Sequence, residues 1–348
     1  MEPLILSTLA VGPGIGLAVY IYYTDKWEPE PKNLLIQCFF LGSLACLPAI
    51  LYEVIFEEIF SFEGLLDDPR QFTFSAIMFF SFIGVALPEE FCKFIILKNF
   101  IYRNREFNEP MDGIVYGGMI GCGFATLENI GYVFSYGYET GILRMFTAVP
   151  SHACDGIILG YFMAKGKFSP NPKNHLTKGL LLVMVLHGTY NFGIFYGEAW
   201  SNLVFTIPTY FLGLYFALKG KGKMKYHSMA VELSSKEYFI VKDGEKYGPL
   251  RIKDARNMLA NELLQLDDEL IDKESGEKNT IKDIMYNTIW KDTAFKKTTK
   301  KPIENDLEKR EGASFPLSNG TKVFCGNCGQ CNPRDNNFCT QCGKPLAL

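Results

Sequence analysis

Residues 1 to about 220 of this 348-residue chain are almost continuously apolar, and no other feature limits its fold so tightly. Seven stretches of membrane length can be read there, at about 4–23, 33–55, 72–98, 111–135, 144–164, 176–196 and 200–218. Each approaches the ~20 residues that a helix needs to cross the hydrocarbon of a bilayer. In lipid every backbone N–H and C=O must be bonded internally, which for segments of this length means helices. The first stretch lacks a positive leading region and a small-residue cleavage site, so it reads as a retained helix. Residues 221–348 are instead rich in Lys, Glu, Asp and Asn. The expected fold is therefore an all-α polytopic membrane protein of about seven transmembrane helices, followed by cytoplasmic appendages. The net charge of −3 argues against a nucleic-acid binder of the usual basic kind.

The loops between these stretches alternate in basic content. Lys26 and Lys32 lie in the first, Lys98, Arg103 and Arg105 in the third, and Lys165, Lys167, Lys173 and Lys178 in the fifth. The segment "KGKGKMK" after the last helix is basic again. The intervening loops carry only Arg70, only Arg144, or no basic residue. Positive loops stay in the cytoplasm, so the N-terminus is expected outside and the C-terminal half inside.

Against this background, "ALPEEFCKF" (86–94) places Glu89, Glu90 and Lys93 inside a membrane stretch, where each charge costs about 3 kcal/mol even on a lenient scale. Other stretches carry Glu128, His152, Asp155 and His187. Counted at ~1.5 Å per residue from the cytoplasmic end, Glu89 lies at roughly 14 Å, His152 at roughly 18 Å and His187 at roughly 17 Å. Glu128 comes out at roughly 25 Å, or about 20 Å if its helix begins after Gly117-Gly118. Glu89 and Lys93 share a helix face, as do His187 and Asn191. A water held between such a carboxylate and the imidazoles is a suitable nucleophile, and the Asn191 amide can donate to a developing oxyanion. Taken singly, each of these residues has a bland reading: a hydrogen-bonded core histidine, a structural Glu–Lys pair, a structural Asp155. Glu53, Glu57 and Glu58 read as solvent-facing at the outer end of the second helix. The joint placement of acids and imidazoles in one layer favours a functional site.

"EEFCK" (89–93), "FATLEN" (124–129), "HACDGIILGY" (152–161) and "HGTYN" (187–191) resemble, in order, the four motifs of the PrsW family of intramembrane proteases. That family belongs with the CAAX prenyl endopeptidases and bacteriocin-processing enzymes. Phe124 and Glu128 follow the Phe-x-x-x-Glu form of the PrsW branch, not the Phe-x-x-x-His of the CAAX enzymes. The resemblance implies proteolysis in or beside the membrane, with Glu89, paired with Glu90, as activating base. It makes Glu128, His152 and His187 partners or metal ligands, and Asn191 the oxyanion donor. Two carboxylates and two imidazoles suit zinc, and equally suit a metal-free glutamate–histidine mechanism. The expected substrate is a membrane-anchored protein, such as an anti-sigma factor, and the expected location the bacterial cytoplasmic membrane. A proton-coupled transporter is the alternative, because intramembrane Glu and His also build proton relays, though the two halves show no repeat. A membrane scaffold whose tail does the work is a third.

Beyond a transmembrane domain at 1–222, residues 236–290 read as a small α+β unit with a turn at Asp243-Gly244 and an amphipathic helix near Ile252–Leu264. This unit resembles the GYF-2 type of domain through "DGEKYGPL". Its aromatics Tyr238, Phe239 and Tyr247 either dock a peptide partner or pack a small core. Residues 291–322 are a charged linker. At 323–348, Cys325-x-x-Cys328 and Cys339-x-x-Cys342 have the spacing of a structural zinc ribbon, with Cys331 as an extra thiol. The scattered Cys38, Cys46, Cys92, Cys122 and Cys154 read as small hydrophobes.

Overall fold

The computed structural model describes residues 2–23, 30–65, 68–168, 172–233, 236–242, 245–260, 264–265, 267–286, 315–316, 322–324 and 331–333. Contacts divide the chain into two units, one of residues 1–104, 110–167 and 171–225, the other mainly of 226–348.

The described residues of the first unit are mainly helical. Helices α1 (Glu2–Tyr22) and α2 (Lys32–Phe60) are followed by a helical run from Phe74 to Ile101 that is not regular. Its α3 (Phe74–Phe79) and α4 (Leu87–Ile96) alternate with wide π-type turns at Phe80–Ala86 and Leu97–Ile101. Pro88 has no N–H to give the turn behind it, and the N–H of Leu87 bonds instead to Phe82, five residues back. Then come α5 (Pro110–Tyr136), the short α6 (Tyr138–Phe146), α7 (Ala148–Lys167), α8 (Pro172–Phe195), α9 (Ala199–Ser201) and α10 (Ile207–Leu233).

Among the described residues, four helical segments are long and apolar enough to cross a membrane: Leu4–Tyr22, Lys32–Phe60, Pro172–Phe195 and Ala199–Met224. The other three expected spans are helical but differ in kind. The Phe74–Ile101 run is divided by its wide turns, while α5 carries Asp112 and Glu128, and α7 carries His152, Asp155 and two lysines. Large apolar side chains such as Leu4, Phe40, Leu47, Phe134, Leu203 and Phe211 point outward, as lipid-facing positions do.

Helix α5 is the centre of this unit, buried almost without interruption from Pro110 to Thr126. Its most extensive partner is α7. Gly113, Gly117 and Gly121 of α5 face Gly160, Gly156 and the His152 carbonyl of α7. A Cβ at Gly117 would fall on the Gly156 carbonyl oxygen, and one at Gly160 on that of Gly113. Small residues every fourth position let two backbones touch, the usual device where lipid supplies no hydrophobic drive between helices. Helix α5 runs unbroken through Gly117-Gly118, so the glycine pair does not start the helix, as one depth count had supposed; Gly117 serves the α5–α7 contact. Cys38, Cys46, Cys122 and Cys154 are buried thiols without disulfides, and Cys92 is half-buried.

In the second unit, strands β1 (Glu237–Lys242), β2 (Glu245–Arg251), β3 (Glu269–Asp272) and β4 (Lys278–Thr280) form an antiparallel sheet in the order β2-β1-β3-β4. Helices α11 (Ile252–Ala260) and α12 (Ile281–Tyr286) complete it. Alternation along β1 sends Tyr238 and Ile240 into a core with Leu250, Ile252, Ala255, Leu270 and Ile281, while Phe239 and Tyr247 stay half-buried. Tyr238 is thus a packing residue. The expected turn at Asp243-Gly244 lies outside the described residues, although Lys242 and Glu245 pair across it. So do the linker, apart from Phe315–Pro316 and residue 322, and Cys325, Cys328, Cys339 and Cys342. Residues Phe315–Pro316 (β5), Lys322–Phe324 (β6) and Cys331–Pro333 (β7) form a three-stranded antiparallel sheet.

Candidate active site

The site is assembled from α4, α5, α7 and α8. Adjacent residues on a helix point about 100° apart, so the pair Glu89 and Glu90 on α4 divides its work. Glu90 is tied down: its Oε1 accepts from Lys93 Nζ at 2.7 Å and from His187 Nδ1 at 2.6 Å. Glu89 is not. Its Oε2 has no hydrogen-bond partner among the described residues, yet it lies 3.7 Å from Lys93 Nζ, 3.9 Å from His152 Nδ1 and 3.9 Å from His187 Nε2. All of these side chains are buried.

The two imidazoles are oriented in parallel ways. His187 gives its Nδ1 side to Glu90 and turns Nε2 toward Glu89. His152 faces Glu128 Oε2 with Nε2 at 2.8 Å and turns Nδ1 inward, where it accepts from Lys93 at 2.9 Å. An ammonium can only donate, so the His152 proton belongs on Nε2. Each ring therefore has a carboxylate behind it and one nitrogen facing the centre, the arrangement by which outer carboxylates fix ligand histidines. The rings meet edge to face, with centroids 5.1 Å apart. Phe124 roofs the site, with its ring 4.1 Å from Lys93 Nζ and 5.4 Å from the His152 ring.

Glu89, Glu90, His152 and His187 each offer a donor atom, all within 4.8 Å of one another. One oxygen of each glutamate is buried without a hydrogen-bond partner among the described residues. Carboxylate oxygens and imidazole nitrogens are the donors that divalent zinc takes, so the residues fit a metal ion. Because His152 Nδ1 serves Lys93, that hydrogen bond and a metal bond are mutually exclusive at this nitrogen.

Of the residues expected from sequence, four meet directly and Glu128 joins as the backing of His152. Asn191 is buried one turn beyond His187 on the same face of α8. Asp155, read as structural, is buried within electrostatic reach of Lys93 and Glu90. Glu53 corrects an expectation: its carboxyl meets that of Glu89 instead of facing solvent. Helix α2 continues to Phe60, so Glu53 stands two turns inside its end. Arg144, read only as a loop charge, forms an ion pair with Glu128, with Nη2 at 2.7 Å from Oε2.

The family model described as "PrsW family intramembrane metalloprotease" matches residues 30–218, which include the whole cluster. Similar curated proteins are each named "Protease PrsW". That of Geobacillus kaustophilus is 34% identical over 211 residues, 60% of this chain and 85% of the relative. That of Oceanobacillus iheyensis is 38% identical over 190 residues, 54% and 82% respectively. That of Bacillus subtilis is 32% identical over 227 residues, 64% of this chain and 97% of the relative. No solved structure matches the chain. These findings do not favour the transporter or the scaffold. A buried glutamate–histidine centre and a family match that spans it lead to one conclusion: the chain belongs to the PrsW family and is an intramembrane protease.

Proposed function

We propose that this protease cleaves a membrane-anchored protein with a water activated by Glu89. The supporting observation is the convergence on one buried carboxylate oxygen, Glu89 Oε2, of two imidazole nitrogens whose other sides are already bonded. A water between them has His187 Nε2 and the Glu89 carboxylate as acceptors, the carboxylate to take its proton, while His152 Nδ1 is held by Lys93. Glu89 accepts that proton, while Lys93, held by Glu90, balances the charge of the acid pair. Asn191 donates to the oxyanion that develops on the scissile carbonyl. Where a divalent metal is used, His152 and His187 with a Glu89 oxygen would hold it, and it would supply Lewis-acid polarisation. Glu128 and Glu90 then act through the histidines, not as direct ligands.

Seven crossings, with the N-terminus outside and 223–348 in the cytoplasm, are part of this reading; they rest on apolar length and loop charge. The 236–290 unit is proposed to be GYF-2-like, offering half-buried Phe239 and Tyr247 to a peptide. The tail is proposed to be a structural zinc ribbon on Cys325, Cys328, Cys339 and Cys342. Comparative proteomics of membrane-protein fragments, with wild type and Glu89→Gln, tests the central claim. Fragments present only with the wild type identify substrates, and an unchanged fragment pattern refutes the assignment.

A further inference from the structure

Behind His152 the structure contains a chain of contacts that the proteolytic motifs do not include. Arg144, in the last turn of α6, is mostly buried, and Nη2 lies 2.7 Å from Glu128 Oε2, the oxygen that also faces His152 Nε2. Both contacts are within ion-pair range, though bent from the line of an ideal hydrogen bond. Two further contacts fix the guanidinium. Its Nε donates to Asn129 Oδ1 at 3.0 Å. Its plane lies over the Tyr132 ring, 3.9 Å from the centroid. Asn129 in turn cannot rotate, because its amide donates to the carbonyls of Leu9 and Ala10 at 2.9 and 3.0 Å. A planar cation with several donors can hold a carboxylate and a neighbouring amide together, which a lysine cannot do as well.

We propose that Arg144 is a positioning residue of the active site: it holds the Glu128 carboxylate against His152 Nε2, so that Nδ1 is presented to Glu89 and Lys93. This rests on the reading that His152 serves the catalytic centre. Glu128 is then not a member of the reacting group but the link through which α6 sets the orientation of one imidazole. Loss of an outer partner of a ligand histidine typically costs 10–100-fold in metal affinity or activity.

The full chain in detergent, labelled with 15N only at histidine, carries four reporters, and His152→Gln identifies the His152 pair of signals. In chelator-treated wild type the His152 signals should be those of a single Nε2–H tautomer. In R144A the His152 Nε2–H signal should shift and broaden, because the carboxylate it faces is no longer held, and added guanidinium should restore the wild-type pattern. Zinc ion titrated against the His152 and His187 signals should bind 10–100-fold more weakly in R144A, with partial recovery in R144K. Reading the histidines themselves keeps any zinc taken by the tail out of the measurement. An unchanged His152 Nε2–H signal in R144A overturns the proposal. So does a loss that neither guanidinium nor R144K repairs, because that is the behaviour of a purely structural arginine. If R144A does not extract as a folded protein, R144Q carries the same readouts. Failure of the catalytic reading is separate: it would show as wild-type cleavage by Glu89→Gln with the His152 response to Arg144 intact.

Discussion

Glu89 and Glu90 are chemically identical neighbours, and replacing each by Gln should give opposite phenotypes. Glu90 accepts from Lys93 at 2.7 Å and from His187 at 2.6 Å, whereas among the described residues Glu89 Oε2 accepts no hydrogen bond and the Glu89 carboxyl meets only that of Glu53, a contact that a glutamine amide can keep. Breaking one partner of a buried pair costs ~3–5 kcal/mol. In Glu90→Gln the Lys93 ammonium retains Glu89 at 3.7 Å, and at an effective dielectric of ~20 such a pair still gains about 4 kcal/mol in gross Coulomb energy. The glutamine carbonyl also remains an acceptor. The net loss should therefore fall at the lower end, about 3 kcal/mol. Glu89→Gln removes a second buried carboxylate and should change stability by less than about 1 kcal/mol, or raise it. Its cleavage should fall by on the order of 10²-fold or more, because the base is gone. Thermal unfolding of both full-length variants in detergent, set beside fragment yield in membranes, separates the cases. A Glu89→Gln protein that unfolds early while Glu90→Gln remains stable and active would refute the division of roles.

Four other outcomes are expected. Gly160→Leu should separate α5 from α7, since even a Cβ there meets the Gly113 carbonyl; a loss of ~1–3 kcal/mol or more, with fall in folded yield, is measurable by the same unfolding assay. The Asp272 carboxylate accepts from the N–H groups of Glu274 and Ser275, first of all Ser275, which holds it below its usual range. Protection of those amides from hydrogen exchange should persist above the ordinary carboxylate pKa and be lost only as pH falls through the depressed value. Asp272→Asn should weaken that protection at neutral pH. A reporter fused after residue 222 should be cytoplasmic and one at Glu63 external; an external 222 fusion would break the seven-span topology. The 323–348 segment should take up one equivalent of zinc and lose its fold with chelator, and Cys331→Ser should leave binding intact if the outer four thiols are the ligands.

The helical class and the site's members were legible because charge is costly in lipid: Glu89, Glu90, Lys93, His152 and His187 stand out from their surroundings by that cost alone. What each one does was not legible, since a sequence cannot say which oxygen of two adjacent glutamates is already bonded. The wide turns beside Glu89 were also hidden, although Pro88 marks their position. Glu53 and Arg144 were misplaced for a common reason. Both lie near the outer ends of helices, where a charged residue is usually solvated, and only packing against Glu89 and Glu128 takes them inward. Depth counted along separate helices brings Glu128 only near the layer of His152, whereas the two side chains meet. Helix tilt and backbone approach, which set that meeting, leave no periodic trace.

The glycine contact between α5 and α7 has a bearing on how a substrate is admitted. Backbone against backbone leaves no side-chain layer that can shear or repack, so these two helices are expected to move together. Glu128, His152 and Phe124 ride on that pair, while Glu89 and Glu90 sit on α4 and His187 on α8. Displacing α4 or α8 to admit a polypeptide would therefore carry one arm of the reacting group away from the others. The enzyme would be catalytically incomplete while open, and peptide-bond hydrolysis would wait on that helix closing behind its substrate.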